Sequence, residues 1–215
     1  MSPVLKAGPV SQSRYHALTI LVRVEQDRAF ADIALEHALE LAKLDPRDAA
    51  LCTEIVYGTL RWRRHLDWRL APHLNRPLAK LDPWVRALLR LSAYQLLFLD
   101  RVPRWAAVDE AVSLARLKSR NPGPAEFVNA VLRALTRSPE PPALPSDPVE
   151  AAATRLSFPD WIAARWWDGA RRRRARGAGA PSASSRRRRA RDCSRAPGSR
   201  DRALARRGGA SRPPS

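Results

Sequence analysis

The sequence predicts an all-α fold for the first 137 of its 215 residues. Apolar residues recur at positions i, i+3, i+4 and i+7 in four separate segments, which is the pattern of a helix with one buried stripe. Two Asp-Pro pairs add helix starts, since an Asp side chain caps a helix and proline is favoured at its first position. No segment alternates apolar and polar residues as a half-buried strand does, and no Asn-Gly hairpin turn occurs.

These patterns predict a bundle of about seven helices that ends near Arg137. Asp45-Pro46 opens the third helix, predicted to run to about residue 64, and Asp82-Pro83 opens the fifth, predicted over about residues 84–99. The later half of the fifth helix is apolar nearly all round, so this helix is predicted to be central. The residues predicted to face the core are, helix by helix, Ala17, Ile20, Leu21 and Val24; Leu35, Ala38, Leu39 and Ala42; Leu51, Ile55, Gly58 and Trp62; Leu66, Leu70 and Leu74; Leu89 and Leu96; Val108, Ala111, Val112 and Ala115; and Val128, Val131, Leu132 and Leu135.

Beyond residue 137 the composition changes twice. Residues 138–148 hold five prolines, which predicts a semi-rigid linker. Residues 149–168 are again helical in pattern and predict the truncated start of a second domain, with Trp166 and Trp167 exposed, because so short a segment cannot bury its own apolar surface. Residues 169–215 contain 16 Arg but no Lys, Val, Ile or aromatic residue, and they predict a disordered tail.

The tail dominates the charge of the chain. It holds 16 of the 39 basic and two of the 21 acidic side chains, so it carries +14 of the formal net charge of +18 and the rest carries +4. Two interpretations remain open. In the first, the tail is an arginine-rich arm that binds RNA phosphates. In the second, the tail is the product of a GC-rich gene read out of frame, since such reading yields Arg, Ala, Gly and Pro without Lys.

The remaining composition indicates a cytoplasmic protein without a membrane partner. Cys52 and Cys193 are the only cysteines, so no disulfide framework is predicted. The N-terminus has no apolar signal core, and no run of about 18 apolar residues occurs. No nucleophile or acid–base pair is recognised, so no catalytic residue is assigned. Metal-ligand spacing is also absent among the histidines, which are His16, His37, His65 and His73.

Three blocks of sequence carry a family resemblance. Residues 48–62 read Asp-Ala-Ala-Leu-Cys-Thr-Glu-Ile-Val-Tyr-Gly-Thr-Leu-Arg-Trp, residues 81–99 begin Leu-Asp-Pro-Trp-Val-Arg, and residues 127–133 read Phe-Val-Asn-Ala-Val-Leu-Arg. With Leu-Ser-Phe-Pro-Asp-Trp at 156–161, they resemble the N-terminal NusB-like domain of RsmB-type 16S ribosomal RNA cytosine-5 methyltransferases. The resemblance covers roughly residues 13–167. It implies an all-helical NusB-like bundle over residues 1–137 that binds RNA, ribosomal RNA in particular.

In such methyltransferases the NusB-like domain precedes a Rossmann-like domain that uses S-adenosylmethionine. Cytosine-5 methylation needs a cysteine thiolate and a glycine-rich cofactor loop, and neither the family's Pro-Gly-Gly-Lys-type loop nor its Pro-Cys motif occurs in this sequence. Cys52 is predicted to be a small buried hydrophobe. We therefore expect no cofactor and no methyltransferase activity in this chain.

Two groups of residues are candidate RNA contacts. Six basic residues between positions 61 and 80 are interleaved with Trp62 and Trp68, and guanidinium groups pair with phosphates and stack on bases. The alternative is that these arginines are solvated or face a helix dipole, while Trp62 packs in the core. The resemblance implies two further contacts, because NusB-type domains use a basic first helix against RNA. The candidates are Arg14, Tyr15, Arg61, Arg63, Arg64, Arg69, Arg76 and Lys80.

Three functions are compatible with these features. The chain is the non-catalytic, RNA-binding part of a ribosomal RNA methyltransferase, a stand-alone RNA-binding protein of the transcription-antitermination type, or a helical module that docks another protein. The oligomeric state is not predicted.

Calorimetry tests the expected lack of a cofactor site. The purified chain should give no heat of S-adenosylmethionine binding and no methyl transfer to ribosomal RNA, because the sequence contains neither the cofactor loop nor the Pro-Cys nucleophile. A dissociation constant in the micromolar range would contradict this expectation.

Overall fold

The computed structural model describes residues 10–118, 121–138 and 140–177, the last three by their backbone alone. The regular structure in these ranges is helical, which confirms the predicted all-α class. Seven helices precede residue 138, as predicted, and short 3-10 turns at Ala71–His73 and Leu78–Lys80 join the fourth to the fifth. The α-helices are α1 (Gln12–Gln26), α2 (Ala31–Ala42), α3 (Pro46–Arg61), α4 (Arg63–Leu70), α5 (Pro83–Phe98), α6 (Arg104–Lys118), α7 (Gly123–Arg137), α8 (Pro148–Leu156) and α9 (Asp160–Gly177).

The Asp-Pro pairs act as predicted. Asp45 accepts a hydrogen bond from the backbone N–H of Asp48 (2.8 Å), and Asp82 accepts one from Trp84 (2.9 Å). A third pair, Asp147-Pro148, starts α8 in the same way. Each carboxylate satisfies a backbone donor that the first turn of a helix leaves without an intrahelical partner.

The third helix is shorter than predicted. Helix α3 ends at Arg61 and α4 begins at Arg63, because the chain turns at Trp62 (φ −95°, ψ 12°). The Trp62 ring stacks on Phe98 of α5 with 4.8 Å between centroids. Tertiary packing of this ring therefore accompanies a break that helical periodicity alone does not reveal.

Helix α5 is central, as predicted, and contacts α1, α3, α4, α6 and α7. Residues 87–95 are continuously buried, including Leu89, which has no exposed surface. The prediction that Leu96 is a core residue was wrong in degree, since Leu96 is partly exposed and packs at the edge of the core. Four successive apolar residues point in all directions around a helix, so not all of them can face the core. Residues 96–99 also lie at the end of α5, where fewer neighbouring residues surround the helix.

A buried arginine lies in the middle of α5. Arg90 forms a two-pronged hydrogen bond with Asp67 of α4, at 2.6 and 2.8 Å, and a third with Glu25 of α1 at 2.8 Å. Glu25 also pairs with Arg86 at 3.0 Å. Burial alone would raise the pKa of Glu25, but the hydrogen bonds and charges of Arg90 and Arg86 outweigh it and hold that pKa below its ordinary value.

Helices α3 and α5 approach closely at Gly58. A Cβ atom at this position would lie 2.0 Å from Cζ of Tyr94, so only glycine leaves room for that ring. The Tyr94 hydroxyl donates to the carboxylate of Glu54, one turn earlier on α3. Burial and this carboxylate both raise the pKa of Tyr94.

The segment after residue 137 packs against the bundle. Sequence patterns predict a linker and the start of a separate domain, but the residues described up to Trp167 form one compact unit. Trp68 of α4 donates its indole N–H to the carbonyl of Ala143 (3.3 Å), and α8 packs on α4. Trp166 and Trp167 are exposed, as predicted.

The predicted lack of structure from residue 169 onward is wrong for its first part. Helix α9 continues to Gly177, because Arg and Ala are strong helix formers and extending a helix costs less than starting one. The rest of the predicted disordered tail, residues 178–215, lies outside the described residues. None of the described helices combines the length and apolarity needed to cross a bilayer.

Two leucines of α5 test the position of the core. Leu89→Ala should lower the free energy of unfolding by about 2 to 5 kcal/mol, because it leaves a cavity among fully buried neighbours. Leu96→Ala should cost less than Leu89→Ala, since Leu96 is already partly exposed. Chemical denaturation of both variants measures the difference, and equal losses would contradict the position given to Leu96.

The ion pairs of Arg90 predict a pH dependence. Because the pKa of Glu25 is lowered in the folded state, the stability from its ionisation is full above its ordinary value of 4.5 and is lost as the pH falls through the folded-state pKa. Denaturation between about pH 5 and pH 3 should therefore show a steeper loss in the unmodified protein than in Glu25→Gln. Identical slopes would show that Glu25 does not contribute.

Candidate nucleic-acid interface

Side chains from three helices meet at the start of α1. Tyr15 of α1 lies beside Trp84 of α5, with 6.4 Å between ring centroids and an angle of 59° between the planes. Lys118, at the end of α6, places its ammonium 5.6 Å from the centre of the Trp84 ring. We call Tyr15, Trp84 and Lys118 the Tyr15–Trp84 face, and Arg14 precedes Tyr15 on α1. Tyr15 and Lys118 are exposed, and Trp84 and Arg14 are half-buried.

The first turn of α1 is held in place by two long-range hydrogen bonds. The backbone N–H of Ser11 donates to the carboxylate of Glu110 on α6. Arg14 donates through Nε to the side-chain oxygen of Gln95 (2.6 Å), a buried residue of α5. Arg14 is therefore an anchored cation, because its Nε is occupied within the protein.

Lys118 is also oriented by its neighbours. Its ammonium lies 3.4 Å from the carboxylate of Asp82, the residue that caps α5, and above the Trp84 ring. Both Lys118 and Asp82 are about half exposed, so solvent screens this ion pair and it contributes little to stability. The face thus presents an aromatic ring next to a restrained positive charge, which suits a base and its phosphate.

The six basic residues predicted between positions 61 and 80 differ in their exposure. Arg61 and Arg63 are exposed at the junction of α3 and α4, with the Arg61 guanidinium 6.0 Å from the centre of the Trp62 ring. Arg76 and Lys80 are exposed after α4. Helix α4 has eight residues, about 12 Å at 1.5 Å per residue, and it separates the two pairs along the chain.

Arg64 is occupied by the segment that follows the bundle. Its guanidinium pairs with Asp160 at 2.6 Å and donates to Thr154 Oγ1 at 3.3 Å. Its backbone N–H donates to Ser157 Oγ at 3.1 Å. The structure therefore shows Arg64 fastening residues 154–160 to the start of α4, and its predicted role in RNA binding stays a prediction.

Arg69 lies inside the protein. It is 8% exposed, and burial lowers its pKa. Burial and then the charge of Arg69 also lower the pKa values of His65 and His73. Contact between Arg69 and RNA would require a rearrangement of α4, so its predicted RNA contact also stays a prediction.

Cys52 is buried in α3, as predicted. Burial, with a smaller contribution from the charge of Asp48, raises its pKa to about 11. The thiol is therefore protonated at neutral pH, which is unsuited to nucleophilic catalysis.

Sequence reasoning missed Trp84 and Lys118 as candidate contacts. Trp84 follows the Asp-Pro pair that starts α5, a position that predicts a helix residue, and Lys118 ends a helix 104 residues beyond Arg14. No local pattern joins these positions. Their proximity results from α5 packing against both α1 and α6.

The bundle with this face matches a known family. Residues 11–137, which include all of α1–α7 within their bounds, match the model of the NusB family. This chain therefore belongs to the NusB family.

Two relatives show how the match extends. The probable ribosomal RNA small subunit methyltransferase B of Bacillus subtilis is 40% identical over 157 residues, which are 71% of this chain and 34% of the relative. The transcription antitermination protein NusB of Macrococcus caseolyticus is 33% identical over 129 residues, 60% of this chain and 96% of the relative. The chain thus spans about a third of the methyltransferase relative's length.

A solved structure has the same fold. One chain of the crystal structure of the antitermination factors NusB and NusE in complex with double-stranded RNA superposes with a TM-score of 0.55. The sequences are 20% identical, and the match covers 59% of this chain and 94% of that one.

Proposed function

We propose that this chain binds RNA through the Tyr15–Trp84 face, and that it is the non-catalytic, RNA-binding part of a ribosomal RNA methyltransferase. The observation that carries the proposal is the meeting of an exposed tyrosine, a tryptophan and a restrained lysine from three helices of a NusB-family bundle. Aromatic rings next to cations are the usual means by which proteins hold unstacked bases.

Each side chain of the face has a separate role in this proposal. Tyr15 offers one ring to a base, and the neighbouring Trp84 ring packs beside it. Lys118 attracts the adjoining phosphate. Arg14 is anchored on Gln95, about 16 Å along α5 from Trp84, and holds the start of α1 in place. Because α1 is fixed at Ser11 and Arg14, little side-chain or backbone freedom is lost when RNA binds.

The length of the match supports the methyltransferase assignment. An alignment over 71% of the chain extends beyond residue 137, so it includes part of the region that packs on α4. The Bacillus subtilis relative is named for ribosomal RNA, which supports ribosomal RNA as the target here. Methyl transfer, with its S-adenosylmethionine, would belong to the part of the relatives that this chain does not match.

A stand-alone antitermination-like role is the second candidate. It is favoured by the match to nearly the whole of the Macrococcus caseolyticus NusB. Binding preference separates the two candidates, since the first requires ribosomal RNA of the small subunit to compete better than an unrelated RNA of equal length.

Substitutions at Tyr15 and Lys118 test the face. Tyr15→Leu should weaken binding of a labelled single-stranded RNA of about 12 nucleotides roughly 5- to 100-fold, the range for one lost base stack. Tyr15→Phe, which keeps the ring, should bind as the unmodified protein does. Fluorescence anisotropy at about 0.2 M salt measures this, because purely electrostatic binding by the arginine-rich tail is weakened there.

Lys118→Gln should reduce the slope of log affinity against log salt by about 0.7, as one phosphate contact is lost, whereas Lys118→Arg should preserve it. Arg61→Gln with Arg63→Gln, in the same assay, tests the α3–α4 residues. If Tyr15→Leu and Lys118→Gln both bind normally, the Tyr15–Trp84 face is not the RNA site.

A further inference from the structure

A second basic surface lies between α6 and α7, which we call the α6–α7 groove. It is an open groove with a volume of about 670 Å³. Four arginines line it, all of them exposed: Arg104 and Arg116 of α6, and Arg133 and Arg137 of α7. The sequence predicted none of these four residues as functional.

The α6–α7 groove also holds an exposed tryptophan. Trp105, at the start of α6, is 76% exposed, although tryptophan is a residue that proteins bury to a large extent on average. An isolated exposed apolar residue needs no explanation. Here, however, the ring lines the same groove as four arginines, and this combination is typical of surfaces that bind single-stranded nucleic acid.

The described residues neutralise little of the positive charge of the groove. Asp109 is the one acidic residue that lines it. Within the described part of the chain, none of the four arginines forms an ion pair with a carboxylate. Arg133 donates a hydrogen bond from its Nε to Asn129 Oδ1 (2.8 Å), which restricts its side chain and reduces the entropy lost on binding.

The groove is distinct from the Tyr15–Trp84 face. Lys118, which faces Trp84, and Arg116, which lines the groove, are two residues apart on α6. Successive helical residues are rotated by about 100°, so these two side chains leave α6 in nearly opposite directions, roughly 160° apart. Arg133 and Arg137 are about 6 Å apart along α7, which places two positive charges in a row on the opposite wall.

We infer that the α6–α7 groove binds single-stranded RNA, with a base stacked on Trp105 and phosphates held by the arginines of both helices. This goes beyond the proposed function, because it assigns a second RNA-binding surface that does not depend on the Tyr15–Trp84 face. Charge alone would also attract an acidic peptide. The exposed indole favours RNA, since every base offers a flat face that stacks on it.

Paired substitutions separate stacking from charge. In the full chain at about 0.2 M salt, Trp105→Leu should weaken binding of a labelled oligouridylate roughly 5- to 100-fold, while Trp105→Phe retains most of the affinity. Arg133→Gln with Arg137→Gln should reduce the salt slope by about 1.4, as two phosphate contacts are lost. Circular dichroism of each variant checks that the fold is kept, since all three positions are exposed.

Photo-crosslinking locates the contact without depending on affinity. Trypsin cleaves after Arg104 and Arg116, so residues 105–116 form one peptide that carries Trp105. An oligouridylate containing 4-thiouridine, irradiated with the full chain and digested, should leave an adduct on this peptide. The adduct should disappear in Trp105→Leu. Adducts confined to other peptides, such as those of the arginine-rich tail, would overturn the inference.

The outcomes distinguish this inference from the proposed function. If Tyr15→Leu and Lys118→Gln weaken binding but the groove variants do not, the proposed function stands and the inference is wrong. If the groove variants alone weaken binding, the inference stands and the Tyr15–Trp84 face is not the RNA site. If polyglutamate fails to displace the RNA and Trp105→Leu lowers the affinity for RNA, an acidic peptide is excluded as the occupant. If polyglutamate displaces the RNA and binds Trp105→Leu as tightly as it binds the unmodified protein, the inference is overturned.

Discussion

The bundle is organised around the buried guanidinium of Arg90. Arg90 lies inside the continuously buried stretch of α5, and a guanidinium cannot lose its hydration there unless carboxylates replace water. Glu25 and Asp67 do so, at distances of 2.6 to 2.8 Å. Glu25 belongs to α1 and Asp67 to α4. Because both carboxylates must reach the Arg90 guanidinium, the positions of these two helices on α5 are restricted. The direction of α1, and with it the position of Tyr15 beside Trp84, depends on this arrangement.

Local patterns predicted the helices well, and they failed where distant residues intervene. Helical periodicity and the Asp-Pro caps located α1–α7, since both signals are carried by residues within a few positions of each other. The break at Trp62 was missed because it accompanies packing of that ring on Phe98. The attachment of residues 148–160 to α4 was missed as well, because its hydrogen bonds join residues more than 90 positions apart. A composition that favours a linker says nothing about such contacts.

The candidate site was only partly predictable. Tyr15 and Arg14 were predicted from the resemblance of α1 to a basic first helix, whereas Trp84 and Lys118 reach them only through the folded bundle. A run of arginines also does not reveal which members are solvated. Arg61 and Arg63 are exposed, Arg64 is paired with Asp160, and the Arg69 side chain is buried, although all four occur within nine residues. Whether an arginine is exposed depends on the side of the helix from which it projects and on what packs over it.

Ser157 has a consequence for how the protein folds during synthesis. This residue ends α8 in the left-handed conformation (φ 58°), and its hydroxyl accepts hydrogen bonds from the backbone N–H groups of Arg64 and His65. The first turn of α4 is thus capped by a residue 93 positions later in the chain. While the ribosome is still translating the intervening codons, water must satisfy these donors. The nascent bundle therefore emerges with the start of α4 open, and this end closes only after residue 157 has left the exit tunnel.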